Sequence, residues 1–297
     1  MAVEDLIIPK YYENKLDIIS TEIAIKYVKD LFERRLAHHL NLMRISAPLY
    51  VSKSSGLNDD LNGTERPVAF DIMEIEGEDY QIVHSLAKWK RMALKRYNLN
   101  VGKGIYTDMN AIRRDEVLDN LHSCYVDQWD WEKIISRENR TMEFLKMTVR
   151  NIMKALKETE KELDIVYENL MPFIQEDVYF ITAQELEDRF PDLTPKEREY
   201  EIVKQHRTVF LMKIGDILNS GEKHDGRAPV SYTHLIRSML HRIFSQSVLF
   251  RKTLQSPCSL SRLVHSVRLH VWLRDWLPIS LTSRIRRRSW KRRRNKR

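Results

Sequence analysis

Two short strings decide the fold of this chain: VHSLAKWKR at residues 83–91 and YVDQWDWE at residues 125–132. Successive side chains of a β-strand point to opposite faces, so the second string would place Gln128 and Asp130 on one face and its two tryptophans on the other. An ordinary strand with one wet face has the same alternation. We interpret the tryptophans, together with Trp89, as core residues, because aromatic rings bury extensive apolar surface.

Length and composition are those of a globular protein. The 297 residues, 42% of them hydrophobic, can build one large domain or two small ones. Two cysteines are too few for a disulfide framework, and the ten histidines lack zinc-site spacing, so we expect no structural metal. The chain begins without the apolar run of a signal peptide, and no stretch has the length and apolarity of a membrane span. We expect a soluble, cytoplasmic protein.

Charge is distributed unevenly along the chain. Residues 230–297 hold 17 of the 50 Lys and Arg residues but only Asp275 of the 42 acidic residues, which gives +16 there and −8 over residues 1–229. All eight glycines lie at or before Gly226. Two segments of different composition therefore meet near residue 230.

Apolar periodicity predicts a mixture of helices and strands. Residues 20–41 have the pattern of an amphipathic helix, and residues 39–51 read as one strand with Pro48 on an edge or at a bulge. Two strands within residues 68–83 predict a hairpin that turns at residues 76–78. The same patterns predict further helices at 86–97, 140–168, 183–190 and 195–205, and strands at 104–113, 121–131, 178–182 and 209–214.

Several stretches together resemble one enzyme family, the asparagine synthetase A family of aspartate–ammonia ligases. This family is related to the catalytic core of class II aminoacyl-tRNA synthetases, above all the aspartyl and asparaginyl enzymes. The similar stretches, spread over about three-quarters of the chain, are GLNDDLNG (56–63), VHSLAKWKR (83–91), GKGIYTDMNAIRRDE (102–116), LHSCYVDQWDWE (121–132), ITAQELEDRFPDLTPKERE (181–199) and KHDGRAP (223–229).

The resemblance implies an α+β, class II synthetase-like fold with a mainly antiparallel sheet flanked by helices. Residues 20–51 look like motif 1, which builds a homodimer interface in the family, and residues 104–131 look like motif 2. Motif 3 should contain a glycine-rich strand and a second ATP-binding arginine, but no G-x-G pattern follows Gly226. We therefore expect residues 1–229 to be an incomplete catalytic domain without its C-terminal strands, followed by a basic tail at 230–297.

The family reaction joins L-aspartate and ammonia at the expense of ATP. The aspartate β-carboxylate attacks the α-phosphate to give β-aspartyl-AMP and diphosphate, and ammonia then releases L-asparagine and AMP. The resemblance assigns ATP and Mg²⁺ as cofactors and Arg113 as the catalytic, ATP-binding residue, because a planar guanidinium can bridge a phosphate oxygen and a carboxylate. Without the resemblance, Arg113 reads as a surface loop arginine.

The resemblance also implies an aspartate pocket lined by Asp59, Gln128 and Asp130, whose oxygens can accept hydrogen bonds from the substrate ammonium group. Lys90 is the candidate partner of a substrate carboxylate, with Ser85 near it in sequence. Spacing alone favours a different interpretation, in which Lys90 is a solvated charge on a helix face.

Asp225 in KHDGRAP is a further candidate pocket residue, although it stands close to the change in composition. Beyond it, residues 230–297 allow three interpretations: an arm that binds RNA or DNA through phosphate contacts, a disordered basic tail, or an artefact. The artefact is suggested by VSYTHL at 230–235, which one frame of a transposon-derived sequencing adapter would encode. A synthetase-like core with a nucleic-acid-binding arm is thus the alternative function.

Overall fold

The computed structural model describes residues 16–59, 61, 64–116, 118, 123–167 and 174–225, and the backbone of two later strands. Its helices are α1 (Ile18–Leu40), α2 (Ala87–Arg96), α3 (Met142–Val166), α4 (Ala183–Arg189) and α5 (Pro195–His206), with a short 3₁₀ helix at Lys53–Ser55. Its strands are β1 (Leu42–Arg44), β2 (Tyr50–Ser52), β3 (Ala69–Ile72), β4 (Ile75–Ile82), β5 (Gly104–Ile112), β6 (Tyr125–Ile134), β7 (Tyr179–Thr182), β8 (Thr208–Met212), β9 (Gln246–Phe250) and β10 (Leu273–Arg274).

The long antiparallel pair of β5 and β6 is the centre of the fold. It lies in a sheet with the order β1-β5-β6-β10, in which β1 runs parallel to β5. A second, antiparallel sheet has the order β2-β4-β3, and a third has the order β7-β8-β9. The strands approach closely at Gly104, where an added Cβ would lie 2.5 Å from the carbonyl oxygen of Glu132. A larger residue could not occupy this position without moving the strands apart.

Helices α1 and α3 cover one face of the β5–β6 pair. The core on this side contains Phe32 and Leu36 of α1, Val149 and Ile152 of α3, and Trp131 of β6. Helix α1 begins at an Asp17 cap, whose carboxylate accepts the Ser20 amide hydrogen bond at 2.8 Å. Helices packed in this way bury their apolar stripes against the sheet, as the sequence pattern predicts.

The other face of the pair is packed against α2 and the second sheet. Ile105 and Ile134 contact Ala93 and Leu94 of α2 in one cluster. Met109 and Ala111 of β5 join Val51, Val83 and Leu86 in a neighbouring cluster. This side contains the polar residues that the sequence singles out.

Two expectations from the sequence are wrong, one about a strand and one about a turn. Residues 39–51 form two strands in different sheets, β1 and β2, because the intervening segment with Pro48 cannot continue a hydrogen-bonded ladder. The hairpin of β3 and β4 turns before Ile75, so that Gly77 lies inside β4 instead of at the turn. A turn-favouring dipeptide is a weaker determinant than strand pairing over several residues.

Two short strands, β9 and β10, lie beyond residue 229. β9 pairs antiparallel with β8, and β10 pairs parallel with β6. With these pairings β6 lies between β5 and β10, and β8 lies between β7 and β9. The α+β class with helices flanking antiparallel strands is confirmed. No helix within the described residues is both long and apolar enough to cross a bilayer.

Candidate active site

The face of β6 that points towards α2 presents a row of polar side chains. Gln128 lies opposite Met109 and Asp130 lies opposite Thr107 in the antiparallel register, so the two residues share a face as predicted. Trp131, on the other face, is almost completely buried beneath α1 and α3. The separation of polar and aromatic side chains read from the sequence is therefore confirmed.

Lys90 extends from α2 to this row and is completely buried, with 0% of its side chain exposed. Its Nζ lies 2.5 Å from Oδ1 of Asp130 and 3.1 Å from the carbonyl oxygen of Trp131. A second carboxylate, that of Glu132, lies 3.6 Å away. The interpretation of Lys90 as a solvated helix-face charge is therefore wrong, because α2 packs this side chain directly against the sheet.

Glu132 completes a buried cluster of four charged residues. Its Oε1 accepts a long hydrogen bond of 3.4 Å from Nε of Arg91, the residue after Lys90. Burial raises the pKa of the Glu132 carboxyl above its ordinary value, although the positive charges of Lys90 and Arg91 act in the opposite direction. Two cations and two carboxylates therefore lie together on the polar face.

Asn58 holds the loop of residues 56–59 against the start of α2. Its Oδ1 accepts hydrogen bonds from the backbone amides of His84 at 2.9 Å and of Asp59 at 3.0 Å. Its carbonyl oxygen accepts a 2.9 Å bond from Nζ of Lys88. Because Lys88 and Lys90 both belong to α2, this helix joins the Asp59 loop to the polar face of β6.

Ser85 acts locally at the start of α2. Its Oγ accepts a 3.2 Å hydrogen bond from the amide of Ala87, which satisfies one of the unpaired N–H groups of a helix N-terminus. Ser85 thus precedes Leu86, the N-cap residue of α2, and contacts the first residue of the helix.

Arg113 stands one residue beyond β5. Its amide donates a 2.7 Å hydrogen bond to the carbonyl oxygen of Cys124, which extends the β5–β6 ladder. Arg113 lies an even number of positions after Thr107 and Met109, so strand alternation places it on their face. Thr107 and Met109 lie opposite Asp130 and Gln128. The candidate catalytic arginine is therefore at the loop end of the same hairpin face.

Asp115, two residues after Arg113, forms an ion pair with Arg66, which belongs to another loop. The backbone amide of Arg66 lies 2.8 Å from Oδ2 of Asp115, and Nη2 of Arg66 lies 2.5 Å from Oδ1. These hydrogen bonds from Arg66 lower the pKa of Asp115 to about 2. The contact joins segments 49 residues apart in the sequence.

Asp225 lies in another part of the fold, beside the third sheet. Its amide donates a 2.9 Å hydrogen bond to the carbonyl oxygen of Ile214, just after β8. The preceding residue, His224, is buried and its Nε2 lies 2.9 Å from Oε1 of Glu199 on α5. The backbone contact with Ile214 thus holds Asp225 beside the end of β8.

The structure brings together Lys90 and Asp130 directly, and it links Asp59 and Ser85 to them through α2. Sequence reasoning missed Glu132, Arg91, Asn58 and Arg66. Glu132 could have been predicted, because strand alternation places it on the same face as Asp130. Arg91 could have been noticed because it follows Lys90. The contact of Arg66 depends on how two loops meet, and local sequence contains no signal for it.

A resident metal site has little support in this region. Among the described residues, no group of three or more His, Cys, Asp or Glu side chains is arranged to hold a metal ion. Magnesium is typically held by substrate phosphates together with one or two carboxylates.

Comparison with known proteins identifies the family. A family model described as aspartate–ammonia ligase matches residues 19–263. The aspartate–ammonia ligase of Clostridium tetani is 62% identical over 226 residues, which cover 76% of this chain and 66% of that protein. The enzyme of the same name from Ruminiclostridium cellulolyticum is 59% identical over 227 residues, which cover 76% of this chain and 68% of that protein.

The chain thus spans about two thirds of the length of the curated relatives it matches. The family match to residue 263 extends beyond the domain boundary expected at residue 229. Among solved structures, asparaginyl-tRNA synthetase from Pyrococcus horikoshii, complexed with asparaginyl-adenylate, has a TM-score of 0.52 at 12% identity, covering 77% of this chain and 51% of that one. This likeness shows a class II synthetase-like fold. The family match and the sequence identity to the curated relatives establish that the chain belongs to the aspartate–ammonia ligase family.

Proposed function

We propose that the catalytic core in residues 1–229 makes L-asparagine from L-aspartate, ammonia and ATP through a β-aspartyl-AMP intermediate. AMP and diphosphate are the by-products. The observation that supports this most directly is the buried pair of Lys90 and Asp130, 2.5 Å apart, on the hairpin face that ends at Arg113. Family membership supplies the reaction class.

In this proposal the polar face recognises aspartate. The oxygens of Asp59, Gln128 and Asp130 accept hydrogen bonds from the substrate ammonium group. Lys90 supplies positive charge for a substrate carboxylate and holds Asp130 in place, since its Nζ already contacts Oδ1 of Asp130. Ser85, at the start of α2, and Asp225 contribute further polar contacts to the pocket.

Arg113 has the role of stabilising charge at the reacting phosphate. Attack of the β-carboxylate on the α-phosphate brings two anionic groups together, and a guanidinium can hydrogen-bond to both at once. A magnesium ion that accompanies ATP would offset charge on the remaining phosphates. The ammonia step needs no covalent intermediate with the enzyme, so no nucleophilic residue is assigned.

The test is aspartate-dependent formation of AMP by residues 1–229 joined to a family-type C-terminal segment. We expect AMP production to require both aspartate and ammonia and to be indifferent to added RNA. Arg113→Ala should lower adenylation by about a hundred-fold to a thousand-fold, as expected for the loss of one preorganised contact to a transition state. Arg189→Ala, which removes an exposed arginine that hydrogen-bonds to Tyr179, is the matched control and should leave the rate unchanged. AMP formation without an aspartate requirement would contradict the proposal.

We further propose that the 297-residue chain is impaired as an enzyme. The segment after residue 229 has no glycine-rich motif and one acidic residue, so the second phosphate-binding arginine of the family has no counterpart there. Joining residues 1–229 to a family-type C-terminal segment should therefore restore asparagine synthesis. Robust synthesis by the 297-residue chain would show instead that its basic segment supplies the missing contacts.

A nucleic-acid-binding function of residues 230–297 is the alternative, supported by their charge of +16. Salt-dependent retention of the full chain on RNA, lost when residues 230–297 are deleted, would favour it. Retention that survives the deletion would exclude the segment as the binding arm.

A homodimer in the cytoplasm completes the proposal. Residues 20–51 expose Ile23, Met43, Leu49 and Tyr50, which are large apolar side chains suited to a protein interface. Sedimentation of the full chain should give a dimer mass, and Ile23→Glu should shift it towards the monomer.

A further inference from the structure

His224 is a buried titratable residue to which the proposed reaction gives no role. It lies between Lys223 and Asp225 at the start of the KHDGRAP stretch, and 1% of its side chain is exposed. Its Nε2 lies 2.9 Å from Oε1 of Glu199 on α5. Among the described residues, Nδ1 of His224 has no hydrogen-bond partner. Glu199 is therefore the polar anchor of this ring within the part of the chain that the structure describes.

The return loop, which we define as residues 213–225, brings the chain back to the end of β8. Near its tip, the Leu218 amide donates a 2.8 Å hydrogen bond to the carbonyl oxygen of Glu222. At its base, the Asp225 amide donates a 2.9 Å hydrogen bond to the carbonyl oxygen of Ile214. Backbone hydrogen bonds thus define the path of the loop as far as Asp225, and the histidine side chain adds a contact to α5 one residue earlier.

Helix α5 is a fixed support for this contact. The buried Arg198 of α5 donates hydrogen bonds to Oε1 of Glu187 on α4 and to the carbonyl oxygen of Phe190, each at 3.0 Å. Ile202, on the same helix, packs in one apolar cluster with Leu211 of β8. A residue that is held to α5 is therefore held to the core of this unit.

Fold stability alone does not explain a histidine at position 224. A buried polar group costs free energy unless it is hydrogen-bonded, so an apolar side chain would fill the same space without needing a partner. A hydrogen-bonded imidazole has a fixed ring orientation, since its partner determines which nitrogen carries the proton. A contact with a defined direction is suited to placing the next residue of the chain.

We infer that Glu199 is a positioning residue, which through His224 fixes the main chain at Asp225. Asp225 is a candidate residue of the aspartate pocket, so the chemical consequence of the inference rests on the proposed function. Glu199 acts only through His224 in this arrangement. The anchoring of the return loop on α5 is independent of that function.

Hydrogen exchange of the Asp225 amide in the 297-residue chain tests the anchoring without ligand or activity. Glu199→Ala removes the acceptor from Nε2 of His224, and we expect the Asp225 amide to exchange about threefold to tenfold faster, the range for the loss of one hydrogen bond. Glu199→Gln keeps an acceptor oxygen on the side chain and should exchange within about twofold of the unaltered chain. The amides of β8 should exchange as before in both variants.

Glu201→Ala is the matched control, because Glu201 is an acidic residue of the same helix and pairs with Lys204 within α5. It should leave exchange of the Asp225 amide unchanged. Unchanged exchange of this amide in Glu199→Ala would overturn the inference, and so would an equal acceleration in Glu201→Ala. An equal acceleration of the β8 amides in Glu199→Ala would also overturn it, since the cause would then be a general loss of stability.

Kinetic measurements then connect the anchoring to the pocket. They use a completed chain, residues 1–229 joined to a family-type C-terminal segment. In it, Glu199→Ala should raise the KM for aspartate by about twofold to tenfold and leave kcat within about twofold, and Glu199→Gln should restore the KM. An altered exchange rate with an unchanged KM would exclude the positioning role.

The two measurements separate this inference from the proposed function. A completed chain that forms no aspartate-dependent AMP would count against the proposed function alone. The exchange measurements on the 297-residue chain would still decide whether Glu199 holds the return loop through His224.

Discussion

The β5–β6 hairpin is packed in two different ways on its two faces. On one face, Trp131 lies beneath α1 and α3 among aliphatic and aromatic side chains. On the other face, Asp130 and Glu132 lie beneath α2 against Lys90. Trp131 and the Asp130–Glu132 pair are all buried, but the second face adds charged side chains to its apolar ones.

The energetic difference between the faces indicates their roles. Burial of an aromatic ring is favourable in itself, because it removes apolar surface from water. Burial of a charged pair requires both ions to lose hydration, so that an apolar replacement is often as stable or more stable. This difference is consistent with the proposed function, in which the first face stabilises the fold and the second binds a charged substrate.

Lys90→Met should have the largest effect of any substitution on the polar face. It leaves Asp130 and Glu132 buried without their shared cation, and breaking a buried pair in this way costs about 3–5 kcal/mol. Urea unfolding at neutral pH measures the loss. The double variant Lys90→Met with Asp130→Leu should recover most of the stability and none of the aspartate binding, which would separate fold from chemistry. Recovery of both would show that the charges are not required for the substrate.

Trp131→Ala should have a comparable effect on stability through a different cause. It opens a cavity beneath α1 and α3, and removal of a buried aromatic side chain typically costs about 3–5 kcal/mol. Tyr125→Ala is the control on the same strand: the ring is 56% exposed, and its loss should cost about 1 kcal/mol through the bond to Asn110. If Trp131→Ala lowered ligand affinity in protein that remains folded, the division between the two faces would be wrong.

These two faces also show what sequence alone can predict. Strand alternation correctly separates Gln128 and Asp130 from Trp129 and Trp131, because a strand has a period of two whatever packs against it. The helix that contains Lys90 was predicted at residues 86–97 and is observed at Ala87–Arg96. The order of helices and strands could therefore largely be predicted from the local pattern of apolar and polar residues.

The burial of individual side chains and the contacts between distant segments could not be predicted from local sequence. Nothing in the α2 pattern distinguishes the half-buried Lys88 from the completely buried Lys90, since the difference depends on where the sheet lies. The partnership of Arg66 with Asp115 depends on the meeting of two loops. The roles of Asp59, Gln128 and Arg113 came from family resemblance, and they remain predictions.

Asn58→Ala should have an intermediate effect, because Asn58 supports the polar face without contacting Asp130. The substitution removes the acceptor for the amide of the buried His84, and an unsatisfied buried donor costs about 1–3 kcal/mol. We also expect weaker aspartate binding, since the Asp59 amide loses the same acceptor. Ser54→Ala, in the preceding 3₁₀ helix, is the control and should affect stability only. Unfolding curves and aspartate titrations of both variants provide the comparison.

The smallest expected effect is the pH dependence that Glu132 gives to the polar face. Burial raises the pKa of this carboxyl above its usual 4.5, so the folded protein binds the proton more tightly than the unfolded chain does. The stability that comes from the protonated form is fully present below pH 4.5 and is lost as the pH rises through the folded-state pKa. Each unit of upward shift corresponds to about 1.4 kcal/mol.

Glu132→Gln removes this titration while keeping the shape of the side chain. The free energy of unfolding of the variant, minus that of the unaltered chain, should therefore increase with pH from 4.5 upwards and become constant above the folded-state pKa of Glu132. Glu158→Gln is the control with the opposite sign, because the hydrogen bond from His39 lowers the pKa of Glu158 and its contribution is lost as the pH falls. A difference for Glu132→Gln that does not change with pH would mean that Lys90 and Arg91 offset the burial of Glu132 completely. The buried charges of the polar face would then be fully compensated, and the energetic contrast between the two faces would not hold.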